Sequence, residues 1–189
     1  MEEIIAIDRE LFLLLNGMGS PSFDLFWITI TDKSLNICVY LLLITYFLKK
    51  TNLKSFLILL IFTLLLVLIT DQFTNLSKYG FQRLRPCYEP SLKGLVRLVK
   101  PNCGGSFGYF SGHASNSFAL AVFFSLILKN RFTKIPLILI SLASTVAYSR
   151  IYIGVHYPLD IISGIIFGGL VGYVTYLTWL KISPSKKIY

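Results

Sequence analysis

The sequence predicts an all-α fold, a polytopic bundle of helices embedded in a membrane. Of its 189 residues, 54% are hydrophobic and only 14% are charged. A soluble domain of this length needs more polar surface than that. Several apolar runs also approach the roughly 20 residues that a helix needs to cross the hydrocarbon core of a bilayer. The chain is therefore expected to be an integral membrane protein.

The positive charges indicate a membrane partner rather than a nucleic acid. The net charge is +9, which on a soluble protein would suggest nucleic-acid binding. Here the basic residues lie in short segments between apolar runs, where topology and anionic lipid explain them. We expect contact with the bilayer and no nucleic-acid partner.

Five clear spans are expected, preceded by a shorter helix. Residues 3–16 mix apolar and charged side chains, which is typical of an interfacial helix or a partial sixth span. Gly and Pro in residues 16–22 then break the chain. The five spans are predicted at residues 23–48, 53–76, 111–128, 135–153 and 158–180. The first is unusual because it contains Asp32 and Lys33.

We expect a single membrane-embedded domain over residues 1–189. Within it, residues 1–22 form the N-terminal interfacial helix and turn, and residues 77–110 form a long polar loop. Gly164, Gly168 and Gly172 recur at four-residue spacing in the last span. Small residues so placed let two helices approach closely, so we interpret them as packing residues.

The loops predict the orientation of the chain. KKTNLK, KNRFTK and the C-terminal KISPSKKIY are short and basic, without an acidic residue. The positive-inside rule places all three in the cytoplasm. No removable signal peptide is expected, because the N-terminus is acidic. The prediction is a multi-pass protein of the cytoplasmic (inner) membrane with a cytoplasmic C-terminus, whose loop 77–110 and turn 149–157 face the extracytoplasmic, periplasmic side.

Three polar clusters meet on that predicted outer face: KYGFQRLRP (78–86), YFSGHASNS (109–117) and SRIYIGVHYPLD (149–160). In the second, Ser111 directly precedes an apolar run and is a good N-cap, and Gly112 lets the backbone come close to a ligand. His113 then lies in the first turn of a helix. The free N–H groups and positive dipole end of a helix attract anions.

The third cluster places a histidine beside a carboxylate. Pro158 marks the start of the last span, since proline is favoured at the first helical position. His156 lies just before it. Asp160, four residues on, can accept a hydrogen bond from one ring nitrogen and hold the other outward.

Three cations complete the predicted pocket. Arg150 ends the preceding span, and Lys78 and Arg85 come from the first cluster. So many cations with one carboxylate suit a compact dianion, and arginine forks match the oxygens of phosphate. The expected reaction is hydrolysis of a phosphate ester or anhydride through a phosphohistidine, with one His as nucleophile and the other as acid. Because the cations would supply the charge stabilisation that magnesium gives elsewhere, no metal or other cofactor is expected.

The three clusters together resemble the motifs of the type 2 phosphatidic acid phosphatase superfamily. The first fits Lys, six residues, Arg-Pro, and the third fits Ser-Arg, five residues, His, three residues, Asp. FSGH resembles Pro-Ser-Gly-His, with Phe110 in place of the proline. The resemblance covers residues 78–160, and the helical layout resembles the membrane-integral bacterial lipid phosphatase branch, whose members usually have six spans.

The resemblance implies a role for each matching residue. His156 would be the nucleophile, Asp160 its orienting partner and His113 the general acid. The phosphate would be bound by Lys78, Arg85, Ser111, Gly112 and Arg150.

The implied activity is that of a metal-independent phosphoric monoester or pyrophosphate hydrolase acting on lipids. Candidate substrates are undecaprenyl pyrophosphate, phosphatidylglycerol phosphate, phosphatidic acid and lipid A, and the residues do not choose between them. A vanadate-dependent haloperoxidase-like enzyme is one alternative, although the haloperoxidases of the superfamily are soluble. A non-enzymatic phosphate or phospholipid transporter is the other, although it would need polar groups along the whole bundle rather than at one face.

The remaining polar residues carry weaker expectations. Arg83, Lys93, Arg97 and Lys100 match no motif and are expected to face solvent or lipid headgroups. Asp71, like Asp32, would hydrogen-bond within the bundle or support the pocket.

The cysteines suggest a disulfide. Cys87 and Cys103 both lie in the predicted extracytoplasmic loop, where disulfides are permitted. We hypothesise a bridge that braces the phosphate pocket, although spacing alone does not prove pairing. Cys38 is expected to be a buried apolar residue.

Overall fold

The computed structural model describes residues 2–183, apart from the side chains of Phe47 and Leu48, and these residues confirm the all-helical class. Residues 184–189, most of the basic C-terminal tail, lie outside the described part. The described chain forms seven α-helices: α1 (Glu2–Gly17), α2 (Pro21–Ile30), α3 (Lys33–Lys50), α4 (Leu53–Phe81), α5 (Gly112–Leu128), α6 (Ile135–Tyr152) and α7 (Pro158–Ile182). Two short 3₁₀ turns, Pro86–Tyr88 and Pro90–Leu92, lie between α4 and α5.

Three helices of the described chain, α4, α6 and α7, are long and apolar enough to cross a membrane. Helices α1 and α2 meet the same test only as a pair, and they are bent by 112° at the break between them. Counting that pair as one span gives up to four. Helices α3 and α5 are apolar but contribute shorter segments, Lys33–Tyr46 and Gly112–Leu128. The predicted count of five spans is therefore not confirmed.

The prediction of one continuous span over residues 23–48 is wrong. The chain is broken into α2 and α3 at Thr31 and Asp32. The Asp32 carboxylate accepts a hydrogen bond from the Ser34 N–H at 2.7 Å, and so satisfies a backbone amide at the start of α3. Because a short acidic side chain can do this, it interrupts an apolar helix at low cost. The second predicted span is also longer than expected, since α4 continues to Phe81 and carries Lys78 on a helix.

Helix α5 lies at the centre of the bundle and packs against α4, α6 and α7. Most of its side chains are buried, and small residues such as Ala114, Ser115 and Ala119 alternate with large aromatic ones such as Phe123 and Phe124. The outer helices expose large apolar side chains on the faces turned away from α5. That distribution suits a bundle whose outer surface meets lipid.

The glycine stripe of α7 is confirmed as a packing surface. A Cβ added at Gly168 would lie 2.1 Å from the Ser115 carbonyl oxygen, and one at Gly164 would lie 2.7 Å from that of Ser111. A Cβ added at Gly172 would lie 2.4 Å from the Ala119 carbonyl oxygen of α5. The backbones of α5 and α7 therefore touch over two turns, and this contact fixes the start of α5 relative to the start of α7.

Helix α1, expected to lie at the interface, also has a buried side. Asn16 is 1% exposed, and its Nδ2 donates to the carbonyl oxygens of Ile151 and Tyr152 at 3.0 and 2.9 Å. Its Oδ1 accepts from the Arg97 N–H at 2.8 Å. The end of α1 is thus attached to the end of α6, next to the third sequence cluster.

Gly168→Ala is expected to lower the free energy of unfolding by about 1–3 kcal/mol, because the new methyl group overlaps the α5 backbone. Thermal unfolding of the purified protein in detergent measures the effect. Gly169→Ala is the matched control, since nothing lies within 4 Å of its added Cβ. Alanine should gain about 0.5–1 kcal/mol there from the helical backbone. Equal unfolding temperatures for the two variants would contradict the packing role.

Candidate active site

The three sequence clusters meet around a cavity of about 830 Å³ at one end of the bundle. Six of the eight predicted catalytic and phosphate-binding residues line it: Lys78, Arg85, Gly112, His113, Arg150 and His156. The other two, Ser111 and Asp160, lie behind the cavity wall with no exposed surface. They are joined to each other, because the Ser111 N–H donates to the Asp160 carbonyl oxygen at 3.0 Å. The structure thus gathers all eight residues in one region.

His156 and Asp160 form the hydrogen-bonded pair that the sequence predicts. Helix α7 begins at Pro158, and Asp160 lies in its first turn. One carboxylate oxygen, Oδ2, is 3.2 Å from His156 Nδ1 and also accepts from the Tyr157 N–H at 3.0 Å. With Nδ1 engaged by the carboxylate, Nε2 is the ring nitrogen left for other chemistry.

The environment of His156 favours the neutral imidazole. Its side chain is 2% exposed. Burial lowers the pKa of His156 well below its usual range, and the charges of Arg85 and Arg150 act in the same direction. A neutral ring with its proton on Nδ1 carries a free lone pair on Nε2, which is the form that a nucleophile requires.

Four cations line the cavity. Three of them, Lys78, Arg85 and Arg150, were predicted, and Lys33 at the start of α3 was not. None of the four takes part in a salt bridge within residues 2–183. Uncompensated positive charge gathered in a cavity attracts an anion, and phosphate can accept from several donors at once.

The two arginines are held by backbone and side-chain oxygens rather than by carboxylates. Arg85 follows an isolated bridge between Leu84 and Phe107, and its Nη1 donates to the Cys103 carbonyl oxygen at 2.8 Å. Arg150 donates from Nη1 to Thr31 Oγ1 at 2.5 Å. The unpredicted break between α2 and α3 therefore supplies the residue that holds Arg150.

The start of α5 follows the sequence prediction in part. Ser111 is the N-cap, although its side chain accepts from the Ala114 N–H only at 3.5 Å. Gly112 lines the cavity, and it also allows α4 to come close. A Cβ at Gly112 would lie 3.2 Å from the Thr74 methyl group. The glycine thus serves helix packing as well as access to the cavity.

Cys87 and Cys103 are joined by a disulfide in the structure. Cys103 packs in a small apolar cluster with Tyr152 and Ile153, close to the turn that carries His156. The bridge therefore connects the Arg85 segment with the His156 segment. Cys38 is unpaired and exposed, so the prediction that it is buried is wrong; it lies on the outer side of α3.

A band of polar side chains lies beside the cations and was largely missed in the sequence. Asp71, expected to support the pocket, lines the cavity and accepts from Asn116 Nδ2 at 2.8 Å. Asn116 in turn accepts a hydrogen bond from the Thr70 hydroxyl group. The only sequence signal was a set of amide and acidic residues in otherwise apolar helices. The cavity-lining members of this polar band are Asn36, Asp71, Gln72, Asn75 and Asn116.

The expectation for Arg83 and Arg97 is wrong, because both form ion pairs. Arg83 Nη1 lies 2.9 Å from Asp160 Oδ1, and its Nη2 lies 2.5 Å from Asp8. Arg97 pairs with Asp24 at 2.6 Å. The two carboxylate partners in α1 and α2 are more than 70 positions away in sequence, so no local pattern indicates them.

The sequence profile of the PAP2 superfamily matches residues 53–183, a stretch that contains every predicted catalytic and phosphate-binding residue. The chain belongs to the PAP2 superfamily. The family resemblance of its three motifs is thereby confirmed.

Two relatives match nearly the whole chain. A lipid A 4'-phosphatase of Porphyromonas gingivalis is 38% identical over 181 residues, which is 95% of this chain and 76% of the relative. A lipid A 4'-phosphatase of Bacteroides thetaiotaomicron is 34% identical over 185 residues, 97% of this chain and 81% of the relative. With the family match and the apolar helices, these relatives identify the PAP2 chain as a membrane-integral lipid phosphatase.

Two crystal structures share the fold. LpxE of Aquifex aeolicus superposes with a TM-score of 0.67 at 24% identity, covering 88% of this chain and 92% of its own. A transmembrane PAP2-type phosphatidylglycerolphosphate phosphatase of Bacillus subtilis gives 0.77 at 19% identity, covering 98% and 90%. The likeness extends over nearly the whole length of all three chains, so the chain shares the fold of these two proteins.

Replacing both bridged cysteines by serine is expected to lower kcat/KM for phosphate release by about ten- to a hundredfold, because Arg85 would lose its fixed contact with the Cys103 carbonyl group. Kinetics of the double variant in detergent measure the loss. Cys38→Ser is the control, since Cys38 is unpaired. Wild-type kcat/KM in the double variant would show that the bridge does not position Arg85.

Proposed function

We propose that this phosphatase hydrolyses a phosphate monoester of a glucosamine-based lipid of the lipid A class. The reaction would proceed through a phosphohistidine and without a metal ion. The observation that carries the proposal is the cavity itself. Four cations without a salt bridge in the described chain and two histidines lie at one end, the polar band follows, and apolar side chains continue from there. A phosphate, a sugar headgroup and acyl chains would find matching surfaces in that order.

In the first step, Nε2 of His156 would attack the phosphorus atom. The N–P bond forms as the bond from phosphorus to the ester oxygen breaks. His113, which lines the same cavity, would enter this step as the imidazolium and give its proton to that leaving oxygen. Asp160 would stabilise the positive charge that develops on the His156 ring, since its carboxylate faces Nδ1.

In the second step, water would attack the phosphorus atom of the phosphohistidine. His113, now neutral, would accept a proton from that water, and the N–P bond would break to release inorganic phosphate. His156 would return to its neutral form. The same residue thus acts as acid in the first step and as base in the second.

The cations would stabilise the charge that spreads over the phosphoryl oxygens in both transition states. Arg85 and Arg150 are held in place before any substrate binds, so little reorganisation is needed. Lys78 and Lys33 add two point charges at the rim. Metal independence is supported by this charge supply, because the cations can give the stabilisation that a metal ion gives in other phosphoryl-transfer enzymes.

The choice of lipid A over the other candidate lipids is supported by the relatives and by the polar band. Both relatives described above carry the name lipid A 4'-phosphatase. Amide and carboxylate side chains can bind the hydroxyl and amide groups of a glucosamine ring, and a glycerol headgroup offers fewer such groups. Apolar residues of α3 and α4, such as Ile37, Leu41 and Leu64, continue the cavity toward the bilayer.

We also propose the inner membrane as the location, with the cavity on the extracytoplasmic side. The basic loops 49–54 and 129–134 lie at the helix ends opposite to those that carry Lys78 and His113. The positive-inside rule then places the cavity outside. A disulfide beside the cavity suits that oxidising compartment.

His156→Ala is expected to reduce phosphate release from purified enzyme by at least about a thousandfold, because no other group replaces the nucleophile. The assay includes a chelator, which the wild type should tolerate. Rapid quenching into alkali, in which phosphohistidine survives, should trap a phosphoenzyme in the wild type and none in the variant. An unfolding temperature close to that of the wild type shows that the variant is folded. Substantial turnover by His156→Ala would remove His156 as the nucleophile.

Asp71→Ala is expected to lower kcat/KM for lipid A by about tenfold and to leave phosphatidic acid hydrolysis nearly unchanged. Asp71 lines the cavity and holds Asn116, so the variant would lose the proposed hydrogen bonds from this pair to the sugar. Phosphate release from lipid A, phosphatidic acid, phosphatidylglycerol phosphate and undecaprenyl pyrophosphate measures the preference. The wild type should favour lipid A. An equal loss on lipid A and phosphatidic acid would argue against the sugar-binding role.

A further inference from the structure

We infer that Arg83 and Asp8 form a positioning pair that holds the Asp160 carboxylate ionised and correctly turned toward His156. The inference rests on the proposed roles of His156 and Asp160. The superfamily match begins at residue 53, so Asp8 on α1 lies outside it. The N-terminal helix would thus contribute directly to the catalytic arrangement.

Arg83 is fixed by three contacts. Its Nη1 donates to Asp160 Oδ1 at 2.9 Å, and its Nη2 donates to Asp8 Oδ2 at 2.5 Å. Its guanidinium carbon lies 4.1 Å from the centre of the Tyr157 ring. A planar guanidinium stacked on an aromatic face and hydrogen-bonded at two nitrogens has little freedom to turn.

The two carboxylate oxygens of Asp160 contact different partners. Oδ2 faces His156 Nδ1 and the Tyr157 N–H, while Oδ1 faces Arg83. Because the side chain has no exposed surface, water cannot replace either partner. A buried carboxylate that loses its cation carries a large desolvation cost and takes up a proton instead. Arg83 therefore decides both the rotation and the charge of this carboxylate.

Asp8 completes the arrangement from the other side. Its Oδ2 accepts from Arg83, and its Oδ1 accepts from the Leu159 N–H at 2.8 Å. Leu159 is the second residue of α7, where a backbone amide has no partner within its own helix. Asp8 is 3% exposed. It thus fastens Arg83 to the same helical turn that carries Asp160.

Arg83 differs from the four cations that face the phosphate. It does not line the cavity, and both of its terminal nitrogens donate to carboxylates. It would act on the reaction only through Asp160, so it is a positioning residue. Its replacement is therefore expected to change the turnover number and its pH dependence, and to leave phosphate binding nearly unchanged.

Replacement of Arg83 should raise the pH below which kcat falls. The charged and titratable groups around Asp160 are His156, Tyr157, Arg83, Arg85 and Asp8. In Arg83→Gln, two buried carboxylates would face each other without their shared cation, and one would be protonated near neutral pH. A protonated Asp160 cannot stabilise positive charge on His156. Activity would then return as the pH rises, so the acidic limb of the kcat profile moves to higher pH.

The experiment measures kcat and KM for phosphate release between pH 5 and pH 9, using wild-type enzyme, Arg83→Gln, Arg83→Lys and Asp8→Asn. Arg83→Gln should lose about ten- to a hundredfold in kcat at neutral pH with KM changed little, as for other residues that orient a catalytic group. Its acidic limb should move up by about one pH unit or more. Arg83→Lys should recover part of the loss. Asp8→Asn should lower kcat by less than Arg83→Gln does, because Arg83 loses its second anchor. Its acidic limb should not move to higher pH, because the same change removes a negative charge near Asp160.

Asp24→Asn is the matched control. It removes another ion pair between an N-terminal helix and the long loop, since Asp24 binds Arg97 at 2.6 and 2.7 Å, but that pair does not touch Asp160. Its acidic limb should coincide with that of the wild type. If Arg83→Gln does not fold, the acidic limb of Arg83→Lys and the kcat of Asp8→Asn decide.

Two results would overturn the inference. One is a wild-type acidic limb in the folded Arg83 variants together with wild-type kcat in Asp8→Asn, and the other is a rise in KM with unchanged kcat. His156→Ala is measured in parallel to separate this inference from the proposed mechanism. An active His156→Ala would reject the mechanism itself, whereas an inactive His156→Ala beside unshifted Arg83 variants would reject only the positioning pair.

Discussion

The close backbone contact between α5 and α7 is the constraint on which the rest of this enzyme depends. Of the two predicted catalytic histidines, His113 lies in the first turn of α5 and His156 lies in the turn just before α7, so they can contact one phosphate only if the starts of those helices lie side by side. Gly164 and Gly168 permit this, because a Cβ at either position would overlap an α5 carbonyl oxygen. The Ser111 N–H then reaches the Asp160 carbonyl group at 3.0 Å. Sequence alone suggested a packing stripe; the structure shows that the stripe sets the geometry of the site.

Charge is sorted in the same region. Arg83 and Arg97 are neutralised by Asp8 and Asp24, whereas the four cations that line the cavity have no carboxylate partner in the described chain. Two of them, Arg85 and Arg150, are buried, and buried positive charge without a carboxylate is unfavourable in a medium of low dielectric constant. A bound anion would relieve that cost, so the charge of the cavity suits an anionic ligand. The chain has a net charge of +9, and within the described residues four of its cations line the cavity.

The sequence predicted those parts of the site whose signals are local. Ser111 before an apolar run and Pro158 at a helix start mark element boundaries directly, so the residues beside them could be placed on one face. The Arg83 pairs could not be predicted, since Asp8 is 75 positions away and follows no motif. The break at Thr31 was missed for a related reason. The apolar pattern of residues 23–48 predicts one span. The contact between Thr31 and Arg150, which gives the interruption its role, is tertiary, and no local pattern indicates it. The predicted count of five spans is not confirmed, and hydropathy alone does not register such interruptions.

The segment before residue 53 deserves to be counted as part of the catalytic unit. It lies outside the superfamily match, yet it supplies Thr31 to Arg150, Lys33 to the cavity rim and Asp8 to Arg83. Asn16 binds the last carbonyl groups of α6, just before the turn that carries His156. Thr31 holds the motif residue Arg150 directly, and Asp8 contacts Asp160 through Arg83. The motifs define the chemistry, and the N-terminal helices hold the motif residues in the orientation that this chemistry requires.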